Sequence, residues 1–177
     1  MTTHIEFDQV YDVSPHDLFR IVTRLDHLEE KAEYLGHRGH RMLELRERDG
    51  LFRSVTQRMV DVDLPRWAPA FILPRNTITQ TQLWHPPSYD GSRRYDADVE
   101  VSRVPVTVTG EGVLTSIHYT TTRYQIRLAI SSGAPVIGRK MEQFVAAQFE
   151  HGIQGEHEFR VLWLGRRNQQ QHHAWGS

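Results

Sequence analysis

The chain has 177 residues, 38% of them apolar and 24% charged, with a net charge of −1 at neutral pH. That is enough chain for one domain with a real core, and it lacks the basic excess that nucleic acid or an anionic membrane surface would demand. Cysteine is absent, which excludes disulfides, thiolate chemistry and cysteine-based zinc sites.

The opening MTTHIEFDQV shows no basic and apolar leader pattern, and the longest near-apolar run, WAPAFILP, falls far short of a membrane span. A cytoplasmic protein without stable membrane insertion is expected. Residues 4–13 alternate Ile5, Phe7, Tyr11 and Val13 against Glu6, Asp8 and Asp12, the pattern of a half-buried strand. SPHD then starts a helix: Ser14 can cap it, Pro15 suits its first position, and Asp17 complements the N-terminal dipole. A second short helix is expected over 26–35, stopped by Gly36. From His37 the period changes to two, with strands expected over 40–48, 51–62, 76–85, 93–102, 105–117 and 119–131, punctuated by Asp49-Gly50 and Asp90-Gly91. Gly110 and Gly112 fall inside one of these strands and suggest a bulge or sharp bend. A long amphipathic helix follows the break at 131–135. Residues 165–177 lack periodicity and are expected to be disordered.

The order is strand, two short helices, about six further strands, long helix. A sheet with one apolar face must bury it, and one long helix laid across it does so. The expected fold is α+β: a curved antiparallel sheet of six to seven strands wrapped around a C-terminal helix, as one domain over residues 1–164. This order resembles the helix-grip fold of the START-like (SRPBCC) superfamily, which includes plant pathogenesis-related allergens, lipid-transfer domains and polyketide cyclases. More narrowly, the chain resembles an actinobacterial START-like family of unknown function. The matching features are the strand followed by SPHDLF, the segment VTQRMVDVDLPRWAPAFILP before a strand ending in TQTQLW, and the helix GRKMEQFVAAQFEHGIQGEHEF. The resemblance implies a cavity for an apolar small molecule and assigns no activity.

The long helix is the most informative element. At 100° per residue, Ile137, Met141, Phe144, Val145, Phe149, Phe159, Leu162 and Trp163 share one face with Gln148, Gly152, Gly155 and Glu156. The stripe is bulky at its ends and small or polar in its middle. Either the glycines leave room for a ligand that Gln148 and Glu156 orient, or they let the helix approach the sheet closely or bend there, with Gln148 meeting a buried backbone group.

In LPRWAPAFILPRN, Trp67 and Phe71 either face a ligand from a lid or belong to a short helix closing the core. Trp84, Tyr95 and Tyr124 share the concave face, as core or as ligand contacts. Gln80 and Gln82 share parity with Trp84, so either this strand meets a polar ligand group or it is an edge with the parity misread.

Eleven histidines form no metal-ligand pattern; His151 and His157 diverge around the helix, and His172-His173 would chelate only adventitiously. No catalytic residue is assigned, no GxSxG or phosphate loop occurs, and no cofactor is expected. Acid–base chemistry by Glu156, its carboxyl raised by burial in a cavity, remains open.

The expected partner is thus a hydrophobic small molecule or lipid and not nucleic acid. The expected role is carrier or sensor, with Trp67, Phe71, Trp84, Tyr95, Tyr124, Gln148, Gly152, Gly155 and Glu156 as ligand-binding candidates. An enzyme acting on a polyketide-like substrate, or a co-chaperone-like interaction module with a filled core, are the alternatives. Nothing in the sequence sets the oligomeric state.

Overall fold

The computed structural model describes residues 1–174, the side chains through Gln171. Strand β1 (Thr2–Tyr11) is followed by helices α1 (Pro15–Val22) and α2 (Leu25–Tyr34). Strands β2 (Arg38–Arg48), β3 (Leu51–Asp61), β4 (Arg75–Trp84), β5 (Arg93–Val101), β6 (Val106–His118) and β7 (Thr121–Ser132) come next, and helix α3 (Gly138–Ala174) ends the described chain. The local signals act as written. The Ser14 hydroxyl accepts from the Asp17 amide at 3.1 Å, and Gly36 terminates α2 in the left-handed region at φ +70°.

All seven strands form one antiparallel sheet in the order β1-β7-β6-β5-β4-β3-β2. Inward side chains line up in rows across it. One row runs Phe7, Ile126, Gly112, Tyr95, Trp84 and Phe52; the next runs Ile5, Leu128, Gly110, Ala97, Gln82 and Ser54. The glycines Gly110 and Gly112 lie in unbroken register with β5 and β7, so the expected bulge is absent. They are needed for space: a Cβ on Gly112 would lie 2.0 Å from the Tyr95 ring, and one on Gly110 would lie 2.3 Å from Leu128. The same rows settle β4. It is an interior strand, and Gln80 and Gln82 do face inward.

Helix α3 approaches β1, β7 and α2 closely and stands off from β3 and β4. Glu142, 2% exposed, ties its first turns to the sheet by accepting from the Ser132 amide (2.9 Å) and the Thr3 hydroxyl (3.2 Å). Two expectations for α3 change. The helix continues past Leu164, so residues 165–174, expected to be disordered, are helical; residues 175–177 and the His172-His173 side chains lie outside the described part. Leu162, expected on the core face, is 56% exposed, while Ile153 and Arg160 are buried. The final turns have left the sheet, and Phe159 and Trp163 pack instead on His27 of α2, with ring centroids 5.3 Å away in both cases.

Candidate functional site

Because α3 covers only the β1–β7 side, the sheet curls over unoccupied space. The result is a cavity of about 360 Å³ bounded by β3, β4, β5 and β7, by α2 and α3, and by the β3–β4 connection, a size in the range of small-molecule sites. Residues of its lining that are exposed, Asp61, Gln148 and His151, mark where it reaches the surface. Helix α1 closes the opposite end, where Phe19 meets Trp84 and Phe52 edge-on at 5.1 and 5.4 Å.

One wall is apolar. Ala97, Val99, Ile126 and Leu128 come from β5 and β7, and Phe144, Val145 and Phe149 from α3. The connection between β3 and β4 forms two successive turns, closed by Ala68 N–H to Pro65 C=O (2.9 Å) and Ile72 N–H to Pro69 C=O (3.0 Å), rather than the short helix considered from its composition. Val62 N–H to Pro74 C=O at 2.7 Å pins its ends together. Trp67, Ala68 and Ile72 line the cavity, and Trp67 packs on Phe144. Phe71 does not: it points outward, 55% exposed, because the second turn puts Phe71 and Ile72 on opposite sides of the chain.

The other wall is polar. Inward positions of β3 and β4 carry Ser54, Thr56, Arg58, Gln80 and Gln82; α2 adds Lys31, the loop after it His37, and β2 His40. Across from them α3 supplies Glu156 and Arg160. Glu156 Oε2 lies 3.4 Å from Lys31 Nζ and 3.7 Å from an Arg160 guanidinium nitrogen. Arg160 Nη1 donates to the Tyr11 hydroxyl at 2.8 Å, which also lies 2.8 Å from Gln9 Oε1 and 2.7 Å from His157 Nδ1. The Tyr95 and Tyr124 hydroxyls share a hydrogen bond of 2.8 Å.

The electrostatics follow from enclosure. Burial raises the Glu156 carboxyl, but Lys31, Arg160 and Arg58 together outweigh it and hold the group at about 2. This corrects the expectation of a raised carboxyl. About a quarter of the Glu156 side chain is accessible, and that surface belongs to the cavity wall rather than to open solvent. Burial lowers Lys31 and Arg58. It also depresses His37 to about 4, helped by the Arg58 charge, so this imidazole stays neutral. Burial drives Tyr124 up to about 12, and both tyrosines of the pair remain protonated donors.

Eight of the nine sequence-stated candidates therefore stand on one wall system: Trp67, Trp84, Tyr95, Tyr124, Gln148, Gly152, Gly155 and Glu156. The two glycines differ. A Cβ on Gly152 would meet nothing within 4 Å, whereas one on Gly155 would come within 2.7 Å of Leu35 Cδ2. Gly152 borders space and Gly155 admits a neighbouring helix end. Sequence reasoning missed Lys31, Arg58 and Arg160. The spacing of Glu156 and Arg160 by one turn beside Phe159 was a usable signal for the last; the other two depend on how α2 and β3 come together. Among the described residues no group of three metal-ligating side chains converges, and no helix is long and apolar enough to cross a membrane.

A family model described as a protein of unknown function, DUF2505, matches residues 6–164. Among curated proteins none matches the sequence significantly. Solved structures do match. The Zhui aromatase/cyclase from Streptomyces sp. R1128 is 14% identical with a TM-score of 0.64, covering 94% of this chain and 96% of that one. A START superfamily protein from Mycobacterium smegmatis is 14% identical with a TM-score of 0.52, covering 90% and 98%. Norcoclaurine synthase from Thalictrum flavum is 9% identical with a TM-score of 0.52, covering 93% and 97%. At these identities the likeness establishes a START-like helix-grip fold and nothing about chemistry.

Proposed function

This chain belongs to the DUF2505 family of proteins of unknown function, and from its site we propose that it binds and sequesters a hydrophobic or amphipathic small molecule, as carrier or sensor, between the sheet and α3. The observation that carries this reading is the cavity of about 360 Å³ with one continuous apolar wall, reaching the surface beside Gln148 and His151. Apolar burial supplies affinity at about 25 cal/mol per Å², and the opposite wall orients the molecule through a few hydrogen-bonding groups. The filled core expected of an interaction module is at odds with this cavity. The test is native mass spectrometry of gently purified protein combined with melting in the presence of Nile red, a neutral apolar dye. A bound apolar compound, or a rise in melting temperature with saturable dye binding, supports the reading. No adduct and no response to the dye overturns it.

A second reading is catalysis on an apolar substrate. It is favoured by one observation: Lys31, whose basicity is reduced by burial, faces the same space as the Tyr95–Tyr124 hydroxyl pair. Two structural neighbours, an aromatase/cyclase and a norcoclaurine synthase, are enzymes by name. Glu156, held ionised, would serve there as a counter-ion and not as an acid. A substrate whose turnover ceases in Lys31→Met while its binding persists would establish this reading; unchanged turnover would remove it.

A further inference from the structure

The cavity lining is unbalanced in charge. It encloses three cations, Lys31, Arg58 and Arg160, against the single carboxylate of Glu156; Asp61 lies at the rim and is engaged by Arg75 at 2.8 Å. Lys31 and Arg160 both converge on Glu156, and Arg160 has the Tyr11 hydroxyl as well. Arg58 is different. Its only hydrogen bond among the described residues is from Nη1 to the neutral Gln80 Oε1 at 3.2 Å, its buried Nε has no partner, and no carboxylate lies within ion-pair distance. A guanidinium enclosed with no carboxylate in contact, and only the field of a Glu156 already shared by Lys31 and Arg160, is costly, and it presents a planar fork suited to an oxyanion. Its place in the cavity matters too. Arg58 stands at an inward position of β3 beside Gln80, and the apolar wall of β5, β7 and α3 lies across the same space.

Resting on the reading of the cavity as a ligand site, we propose that its ligand is an amphiphile with an anionic oxygen head, a carboxylate or a phosphate, and that Arg58 binds this head while the apolar body lies against β5, β7 and α3. The ligand head then supplies the contact that Arg58 lacks, while Lys31 and Arg160 share Glu156, and the excess positive charge of the lining falls. A neutral amphiphile of equal length leaves Arg58 unpaired and loses that interaction.

The experiment compares dodecanoate, dodecyl phosphate and dodecanol by calorimetric titration into the whole chain at pH 7, each below its micellar concentration. The expected result is that at least one anion binds tenfold or more tightly than the alcohol, and which anion does so identifies the head. Arg58→Gln should abolish that preference by weakening the anion at least tenfold relative to dodecanol, whereas Arg58→Lys should retain part of it. The wild-type series alone decides the matter if Arg58→Gln does not fold. If all three bind equally, or the alcohol binds best, the anionic head is wrong and the carrier reading stands. If none binds and Nile red does not bind either, both are wrong. If the anions keep their preference in a folded Arg58→Gln, the role given to Arg58 is wrong.

Discussion

His27 is fully buried, its ring between Phe159 and Trp163, with neither nitrogen hydrogen-bonded. Burial, with the nearby charges of Lys31 and Arg160, lowers its pKa from 6.5 to about 3. The folded pKa lies below the unfolded one, so between these values only the unfolded chain takes up the proton. The contribution is full above pH 6.5 and is lost progressively as the pH falls towards 3. Stability at pH 5 should therefore be lower than at pH 7 by about 2 kcal/mol from this residue alone. His27→Phe should flatten the denaturant-midpoint profile between pH 7 and 5 by that amount; an unchanged slope would show that the ring is protonated in the fold. Val136 makes a second residue-scale case. It is β-branched, 99% exposed, and held at φ +67° in the connection just before α3, a conformation costing roughly 1–2 kcal/mol for a residue with a Cβ. Val136→Gly should raise the melting temperature, by about 1 kcal/mol of stability, and a fall would mean that Val136 makes contacts worth more than its strain.

Helix α3 has two glycines three residues apart with opposite reasons for being there. At Gly152 a side chain would enter open space, so Gly152→Ala should stabilise by about 0.5–1 kcal/mol through helix propensity alone. Gly152→Leu should fold and remove ligand binding by filling the cavity. Gly155→Leu would drive into Leu35 and should cost about 1–3 kcal/mol. Urea midpoints for the three variants, with dye binding for the second, separate these outcomes; equal destabilisation at both glycines would mean that the space beside Gly152 closes in solution. The stripe on α3 was legible because its period is that of a helix, and placing residues by angle brought Gln148, Gly152 and Glu156 to the cavity. It misplaced Leu162 because the same arithmetic assumes one partner along the whole helix, whereas the last turns pack on α2. Strand alternation located Trp84, Tyr95 and Tyr124 through rows of unbroken register. It was silent on Arg58, since RSVTQRMV in β3 mixes polar and apolar residues on both faces. Phe71 and Ile72 could not be told apart without the turn that separates them.

The whole molecule is a sheet too wide for its one long helix. Seven strands curve around α3, which packs on β1 and β7, and the uncovered half of the sheet, which carries Arg58, faces Lys31, Glu156 and Arg160 across the cavity. That mismatch of widths follows from strand number and helix placement. The charge inside it follows from how α2, packed on β2 and α3, comes to face β3 across the cavity, which local patterns do not encode. A protein that keeps three cations and one carboxylate around a cavity with an apolar wall gives up stability to do so, and a ligand that completes the charge and fills the wall returns it through linkage. The most direct measurement is the melting temperature of the chain titrated with dodecanoate and dodecanol against Nile red binding as the reference. A saturable, concentration-dependent rise in melting temperature with apolar probes, lost in Gly152→Leu, is the predicted result. A melting temperature that no apolar probe shifts, in a protein that also excludes the dye, would contradict the account.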